Sequence, residues 1–284
     1  SFPTGIDDSG EACTTVNYPY YMAKCEVTYS LWKEVYDWAQ SNGYVFTNPG
    51  NCGGGFNWTS VEIITDTGNE SDPVTGISWY NAVVWCNALT EYYNEKNKKS
   101  LECVYKDHEN NVIRNITDDT VLTYLVFTMN DFDRSAKGFR LPTSMEWELA
   151  ARYRGGDSTN TVSGYSNPYF TTGNSASGAT GAYTDEDATK AVAWYYNNSQ
   201  VSSDPIIIAT HPVGQKPANG NTLGLYDMSG NVREWCFDIS DINGPIMFGP
   251  FRVVRDGSWK SEASGLMVGI VGCGAGFSYP PNPG

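Results

Sequence analysis

The stretch Gly224–Trp235 holds the residues best suited to chemistry, because two carboxylates, Asp227 and Glu234, stand seven residues apart in a turn-rich segment. Gly224 and Gly230 allow tight backbone turns that a Cβ atom would resist. Carboxylates combined with inward-pointing carbonyls form the flexible, oxygen-rich ligand set that Ca²⁺ prefers. The stretch is therefore a candidate calcium site, and the alternative interpretation is a β-turn with two solvated acids.

Cysteine and histidine offer little metal chemistry in this sequence. The seven Cys include no Cys-X-X-Cys spacing, and neither His108 nor His211 lies near a Cys, so a zinc site is disfavoured. Disulfide pairing does not follow from the spacing. A Ser-His-Asp arrangement stays open, because its members need only be close in space. The block His211–Gly214, however, favours a structural role for its histidine.

Composition excludes two classes of function. The 284 residues carry a formal charge of −14 and a pI of about 4.5, and the longest uninterrupted basic run is Lys98-Lys99. A nucleic-acid-binding protein would show a basic face, so that class is disfavoured. No stretch approaches the roughly 18 apolar residues of a membrane span. The start at Ser1, without a Met or a leader, indicates a mature or trimmed chain whose targeting signal has been removed.

Three helices that could position these residues are predicted from capping residues and apolar spacing. Thr28 is the expected N-cap of a helix over Tyr29–Gln40, and Ser78 is the expected N-cap of a second helix. Thr143 and Glu146 have the spacing of a capping box, which predicts a third, shorter helix.

The rest of the chain predicts short strands and loops. Residues 15–27 are expected to form an extended strand pair broken by Pro19, Val74–Ile77 to form a strand, and Val104–Arg114 to form a hairpin. Thr120–Met129 fits a strand or a short buried helix. Residues 155–190, rich in Gly, Ser, Thr and Asn, predict a long surface insertion. Two main helices, many short strands and long loops indicate an α+β domain with a mixed, mostly antiparallel sheet.

Five blocks, in this order along the chain, resemble the formylglycine-generating enzyme family, also called sulfatase-modifying factors. The blocks are Pro73–Trp79, Gly138–Arg152, His211–Gly214, Gly224–Trp235 and Arg252–Trp259. The resemblance implies a single domain over residues 1–284 with the C-type lectin fold of the formylglycine-generating subtype. One departure is Asp256, at a position where the family favours Gly.

The resemblance also implies a ligand set for the calcium site. One of the family's calcium sites maps onto the side chains of Asp227 and Glu234 and the backbone carbonyls of Gly230 and Val232. All four positions can supply oxygen ligands, so we expect a structural Ca²⁺ here. The family's other calcium site would fall near residues 197–204, where this sequence departs from the pattern.

The family's catalytic cysteines are replaced in this chain. Formylglycine-generating enzymes use two Cys as copper ligands and as a redox pair, and alignment of Arg252–Trp259 places Ser261 and Leu266 at those positions. Neither side chain supplies the thiolate that a soft copper site needs. We therefore expect no copper and no catalysis. The alternative is a sulfatase-modifying-factor-like oxidoreductase or accessory factor with an altered active site.

The C-terminal region contains no charged residue from Ala263 to Gly284. One interpretation is a buried final strand, Leu266–Val271, followed by a Gly/Pro tail. The region also resembles the variable proteins of diversity-generating retroelements, in which randomised Asn codons diversify an exposed ligand-binding face. The predicted face, within a variable region of about 252–284, comprises Asp256, Trp259, Ser261, Gly265, Leu266, Ile270, Val271, Gly272, Cys273, Gly274, Phe277 and Tyr279.

From these observations we predict a non-catalytic protein that binds a ligand through its diversified C-terminal region. The expected partner is a protein or a glycan. The expected location is extracellular, on a bacterial cell surface, with a lipid anchor on an N-terminal leader that has been removed. A surface protein without a selected ligand is a further alternative.

Overall fold

The helices of this chain are few and its strands are short. The computed structural model describes residues 1–6, 13–115, 135–156, 169–218, 220–240, 251–255 and 257–275. Within these ranges the helices are α1 (Tyr29–Gln40), α2 (Trp79–Asn97), α3 (Ser144–Arg152), α4 (Glu186–Val192) and a 3₁₀ turn (Ala263–Leu266).

The strands form small antiparallel sheets. They are β1 (Phe2–Pro3), β2 (Cys13–Thr14), β3 (Asn51–Cys52), β4 (Gly55–Asn57), β5 (Glu62–Ile64), β6 (Val74–Thr75), β7 (Gln200–Ser203), β8 (Ile206–Ala209), β9 (Glu234–Ile239), β10 (Phe251–Arg255) and β11 (Val271–Ala275). The strand orders in the described part of the chain are β1-β2, β3-β6, β5-β4-β8-β7 and β11-β10-β9. This architecture confirms the predicted α+β class.

Aromatic side chains join α1 to α2. Trp32 of α1 stacks on Trp85 of α2 with 5.2 Å between ring centroids. The Thr28 hydroxyl accepts a hydrogen bond from the backbone of the first turn of α1, and Ser78 caps α2 in the same way. Both caps satisfy backbone N–H groups that have no partner inside the helix. Both helix predictions are confirmed.

Helix α3 begins with the predicted capping box. Thr143 accepts from the backbone of Glu146, whose carboxylate in turn accepts from the Thr143 backbone. The same carboxylate forms an ion pair with Arg140 at 2.7 Å. Helix α3 packs against β9 and β10, so the capping box sets the position of the helix that faces the candidate site.

The segment 155–190 is more buried than its composition predicts. Of its described residues, many from 170 onward are buried, although 184–187 are exposed, and α4 begins at Glu186. Small side chains allow a close approach to Leu266, which a composition-based interpretation cannot distinguish from a flexible loop. Its buried apolar members are Phe170, Ala176, Ala179 and Ala188. Residues 157–168 lie outside the described part.

Three smaller predictions have different outcomes. Residues 15–27 form no strand, and the Tyr20 hydroxyl instead donates to the backbone carbonyl of Glu146, so the prediction of a strand pair there is wrong. Val104–Arg114 does turn back on itself, with a bridge between Lys106 and Val112. Thr120–Met129 lies outside the described residues.

The N-terminal residues are clamped against the C-terminal region. The Gly5 amide donates to Glu148 of α3 over 3.0 Å, and the Gly269 amide donates to the Gly173 carbonyl over 3.0 Å. A Cβ atom on Gly269 would lie 2.2 Å from the Gly5 carbonyl oxygen. Position 269 therefore has no space for a side chain.

Replacing Gly269 by alanine should lower the free energy of unfolding by roughly 1–3 kcal/mol, because the added methyl group must displace backbone atoms. The matched control is Gly156→Ala, where no heavy atom lies within 4 Å of the added Cβ. Urea denaturation followed by circular dichroism measures both variants. Equal stability of the two variants would show that the clamp does not form.

Candidate functional site

The loop before β9 holds Asp227 in an unusual backbone conformation. Asp227 has φ of 55° and Gly230 has φ of 83°, both in the left-handed region. A Cβ atom on Gly230 would lie 2.1 Å from the carbonyl oxygen of Trp194, so only glycine fits there. The loop thus turns inward and buries the Asp227 carboxylate.

The Asp227 carboxylate is only half satisfied. Its Oδ2 accepts a hydrogen bond from the Gly214 amide at 2.5 Å, whereas Oδ1 is buried without a hydrogen-bond partner among the described residues. Burial raises the pKa of Asp227 to about 6. A buried carboxylate oxygen without a donor is costly, unless a cation or another ligand contacts it.

Glu234, the first residue of β9, is the second predicted side-chain ligand. Its carboxylate accepts from the indole of Trp147 on α3. Burial, together with the negative charge of Asp227, raises the pKa of Glu234 to about 7. The structure therefore brings Asp227 and Glu234 into one buried, electrostatically coupled group.

A third carboxylate, Glu26, joins this group and was missed by the sequence analysis. Its two oxygens accept from the Val232 amide at 3.0 Å and from the Asn231 side chain at 2.7 Å. Burial raises the pKa of Glu26 well above its usual value, and Asp227 and Glu234 add to the shift. No local pattern marks Glu26, because it lies more than 200 residues before its partners.

The negative charge of the three carboxylates has no evident counter-charge from a described side chain. No positively charged side chain is among the causes of their pKa shifts, and burial of like charges without a counter-charge is unfavourable. In the described residues, the carbonyls of Gly230 and Val232 accept no backbone hydrogen bond. Across the same ranges, no three His, Cys, Asp or Glu side chains converge as metal ligands. A site here must therefore use carbonyl oxygens, and its ligand set remains a prediction.

His211 supports the loop instead of acting as a catalytic base. Its ring stacks on Trp194 with 3.8 Å between ring centroids, and its amide donates to the Asn231 side chain over 2.9 Å. Burial lowers the pKa of His211. Its Nε2 atom has no hydrogen-bond partner among the described residues.

Neither position aligned with the family's catalytic cysteines can bind copper. The Ser261 hydroxyl accepts from the Ser258 amide at 2.8 Å. Leu266 is 0% exposed and packs beside Tyr195. All seven Cys side chains of the chain are free thiols, and Cys273 is exposed on β11. The residues present do not fit the copper centre of the family.

The predicted ligand-binding face is only partly exposed. Trp259 and Leu266 are buried, so the expectation of an exposed position is wrong for both. Leu266 packs in a buried cluster with Ala179 and Tyr195, and the Trp259 amide donates to the Asn231 carbonyl over 2.8 Å. Asp256, Phe277 and Tyr279 lie outside the described residues. The half-buried members are Ser261, Gly265, Ile270, Gly272 and Gly274.

Strand β11 carries the exposed members of the face. Val271 is 52% exposed, and Cys273 is also exposed. On the other side of the strand, a Cβ atom on Gly274 would lie 2.7 Å from the Trp235 ring. Side chains alternate between the two faces of a strand. Val271 and Cys273 therefore lie on the outward face of β11, and its glycines lie on the opposite face.

A buried arginine fixes the chain just before β11. Arg255 donates to the carbonyls of Val268 at 3.3 Å and Ile270 at 3.1 Å. It also pairs with Glu148 of α3 at 2.7 Å, and Glu148 pairs with Arg152 at 2.9 Å. These contacts fix the backbone of the segment independently of the outward side chains.

None of the helices in the described ranges is both long and apolar enough to cross a membrane.

Comparison with known proteins places this geometry in a family. The sulfatase-modifying factor enzyme 1-like domain matches residues 4–272. The chaperone protein LppX of Paenibacillus barcinonensis is 30% identical over 263 residues, which cover 89% of this chain and 74% of LppX.

Two solved structures are also similar. CarF matches with a TM-score of 0.66 and 25% identity over 98% of this chain and 89% of CarF. The Treponema denticola variable protein 1 matches with a TM-score of 0.50 and 27% identity, over 90% of this chain and 79% of that protein. Both resemblances drawn from the sequence are thereby confirmed. The chain belongs to the family of the sulfatase-modifying factor enzyme 1-like domain.

Proposed function

We propose that this chain is a non-catalytic binding protein that is displayed outside a bacterial cell. Its ligand, a protein or a glycan, would contact the C-terminal region around β11. The observation that carries this proposal is the edge strand β11, whose outward residues Val271 and Cys273 are exposed on a fixed backbone. The similarity to the Treponema denticola variable protein supports it.

The support of β11 suits a surface whose side chains change. The buried Arg255 donates to backbone carbonyls and pairs with the buried Glu148 carboxylate, so exchange of Val271 or Cys273 removes none of these contacts. Binding residues commonly lie on segments that a rigid scaffold positions. Diversification of the outward positions would therefore alter the ligand without unfolding the domain.

The aligned positions support the proposed absence of catalysis. Ser261 and Leu266 supply no thiolate, and Leu266 has no access to solvent. The copper site of the family needs a soft thiolate ligand at both positions. A sulfatase-modifying oxidoreductase, the alternative, would need a different thiol pair.

A structural Ca²⁺ at Asp227, Gly230, Val232 and Glu234 is part of the proposal. Carboxylate and carbonyl oxygens are hard ligands of the kind that Ca²⁺ prefers. When bound, the ion would supply the positive charge that the buried carboxylates lack. The free Oδ1 of Asp227 supports this assignment.

A second candidate function comes from the relative named chaperone protein LppX. In that role the exposed surface around β11 would bind another polypeptide transiently. Apolar exposed side chains such as Val271 suit either partner. The two functions differ in the lifetime of the complex and in its selectivity for a folded or an unfolded partner.

The double variant Val271→Lys, Cys273→Lys should lower affinity for the ligand at least tenfold, on the order of the loss at a binding hot spot. Lysine is tolerated on edge strands, so the fold should persist. Binding is measured on arrays of purified extracellular proteins and glycans, and then by calorimetry for each hit.

The matched control is Val201→Lys on the edge strand β7, because Val201 is 51% exposed, close to the 52% of Val271. An affinity that falls for Val201→Lys and not for the double variant would contradict the assignment to β11. Independently, sequencing the gene across a bacterial population should place variation in codons 252–284. Uniform variation along the gene would exclude diversification.

A further inference from the structure

A pocket lies away from Val271 and Cys273, the outward residues of β11. It has a volume of about 360 Å³ and lies between the sheet β5-β4-β8-β7 and the turn that precedes the 3₁₀ helix. Its lining consists of Phe56, Trp58, Tyr196, Ile208, Lys260 and Glu262. Ligand pockets are typically concave sites of a few hundred Å³ with apolar walls and a few polar groups.

The walls of this pocket are aromatic and partly exposed. Trp58 is 49% exposed and Tyr196 is 42% exposed. The ring of Phe56 supports Trp58 edge-on, with 4.8 Å between centroids and an interplanar angle of 76°. Exposed aromatic rings that face a concavity offer a flat apolar surface, and they lose little conformational entropy when a ligand stacks on them.

The backbone behind both rings is fixed. The Trp58 amide donates to Ile206 of β8 over 2.8 Å, and the Tyr196 amide donates to the Ser261 carbonyl over 3.1 Å. The second bond links the pocket wall to the turn that carries Lys260 and Glu262. The two rings and the turn therefore keep a constant separation, as a preformed site requires.

The pocket contains one charged hydrogen-bond donor, the Lys260 ammonium, and one acceptor of opposite charge, the Glu262 carboxylate. Within the part of the chain that the structure describes, neither the Lys260 ammonium nor the Glu262 carboxylate forms an ion pair or a side-chain hydrogen bond. Burial lowers the pKa of Lys260, and the nearby Arg233 lowers it further. Both groups are thus available to a ligand.

We propose that this pocket binds a neutral hexopyranose unit of a glycan. The C–H face of the sugar would stack on Trp58 and Tyr196, while its hydroxyl groups accept from Lys260 and donate to Glu262. A phosphate or sulfate group would be repelled by Glu262, and a quaternary ammonium group would be repelled by Lys260. A neutral polyhydroxylated ring uses both charges as hydrogen-bond partners.

This site does not depend on the proposed role of β11. Val271 and Cys273 do not line the pocket, so sugar binding should survive the variant Val271→Lys, Cys273→Lys. Loss of ligand binding at β11 and loss of sugar binding here are separate outcomes of separate variants. Failure of one therefore leaves the other standing.

The test is saturation-transfer NMR of the whole chain with glucose, galactose, mannose and N-acetylglucosamine, followed by titration of tryptophan fluorescence. We expect at least one sugar to bind with a Kd on the order of 1 mM, as is usual for a ligand with few contacts. Trp58→Ala should weaken that binding at least tenfold. Lys260→Met and Glu262→Gln should each weaken it severalfold.

The control is Tyr21→Ala, which removes a fully exposed aromatic side chain outside the pocket and should leave sugar affinity unchanged. Circular dichroism checks that each variant is folded. Absence of binding by all four sugars would overturn the proposal, and so would unchanged binding in folded Trp58→Ala. Binding of choline or inorganic phosphate at this pocket in place of a sugar would overturn the assignment of a neutral ligand.

Discussion

Replacing Glu148 by leucine is expected to lower the free energy of unfolding by roughly 3–5 kcal/mol, a large fraction of the total stability of an ordinary domain. Glu148 is buried between two buried guanidinium groups, Arg152 at 2.9 Å and Arg255 at 2.7 Å. Its loss would remove the carboxylate that pairs with both guanidinium groups, and the Gly5 amide would lose its acceptor. Chemical denaturation followed by circular dichroism measures the effect.

A milder variant keeps this prediction testable if Glu148→Leu does not fold. Glu148→Gln preserves the shape of the side chain and one acceptor oxygen. Its free energy of unfolding should therefore lie between those of the unchanged protein and Glu148→Leu. The control is Asp37→Asn, which breaks the exposed ion pair with Lys33 and should cost less than about 1 kcal/mol. If Glu148→Leu lowers the free energy of unfolding no more than this control does, the buried network of Glu148, Arg152 and Arg255 does not fix the chain before β11.

Calcium should stabilise the chelator-treated protein at pH 7. A Ca²⁺ concentration 100-fold above Kd would add about 2.7 kcal/mol to the free energy of unfolding, because only the folded state assembles the site. Thermal unfolding in EDTA and in CaCl₂ measures the shift, and calorimetry measures the affinity. Mg²⁺ should have a smaller effect, since it requires a stricter octahedral geometry.

The variant Glu234→Gln should abolish most of this calcium effect, because it removes one charged ligand. The matched control is Glu262→Gln, an exposed acid on a different loop, which should retain the full calcium shift. An identical calcium response in Glu234→Gln and in the unchanged protein would exclude the site before β9. If Ca²⁺ acted only through ionic strength, it would stabilise both variants equally, and Mg²⁺ would stabilise them to the same extent.

The pH dependence of the metal-free protein follows from the same carboxylates. The pKa values of Asp227 and Glu234 are raised in the folded state to about 6 and about 7, against about 4 in an unfolded chain. Between these values the folded state holds more protons, so stability falls as pH rises from about 4 to 7. Ca²⁺ favours the deprotonated form and should reverse this fall near pH 7. Calcium affinity should weaken below pH 6.

Local sequence patterns determined the helices and the family. The hydroxyl of Thr28 and the capping box of Thr143 and Glu146 act over three residues, so their residue types alone predict the helix starts. The blocks around Gly224–Trp235 identified the family for a similar reason, because each block is a short contiguous unit. The same block-by-block comparison predicts that Ser261 and Leu266 stand at the positions of the family's catalytic cysteines.

The tertiary structure decided what lies beside these units. Glu26 joins Asp227 and Glu234 across about 200 residues, and Trp58, Tyr196 and Lys260 meet from three distant segments. Leu266 looks like a surface position in the alignment, yet it is buried. Contacts between remote segments depend on how side chains fill a shared volume, and no local periodicity records that packing. The sequence therefore defined the elements and the family, whereas packing decided which side chains are buried together and which remain available to a ligand.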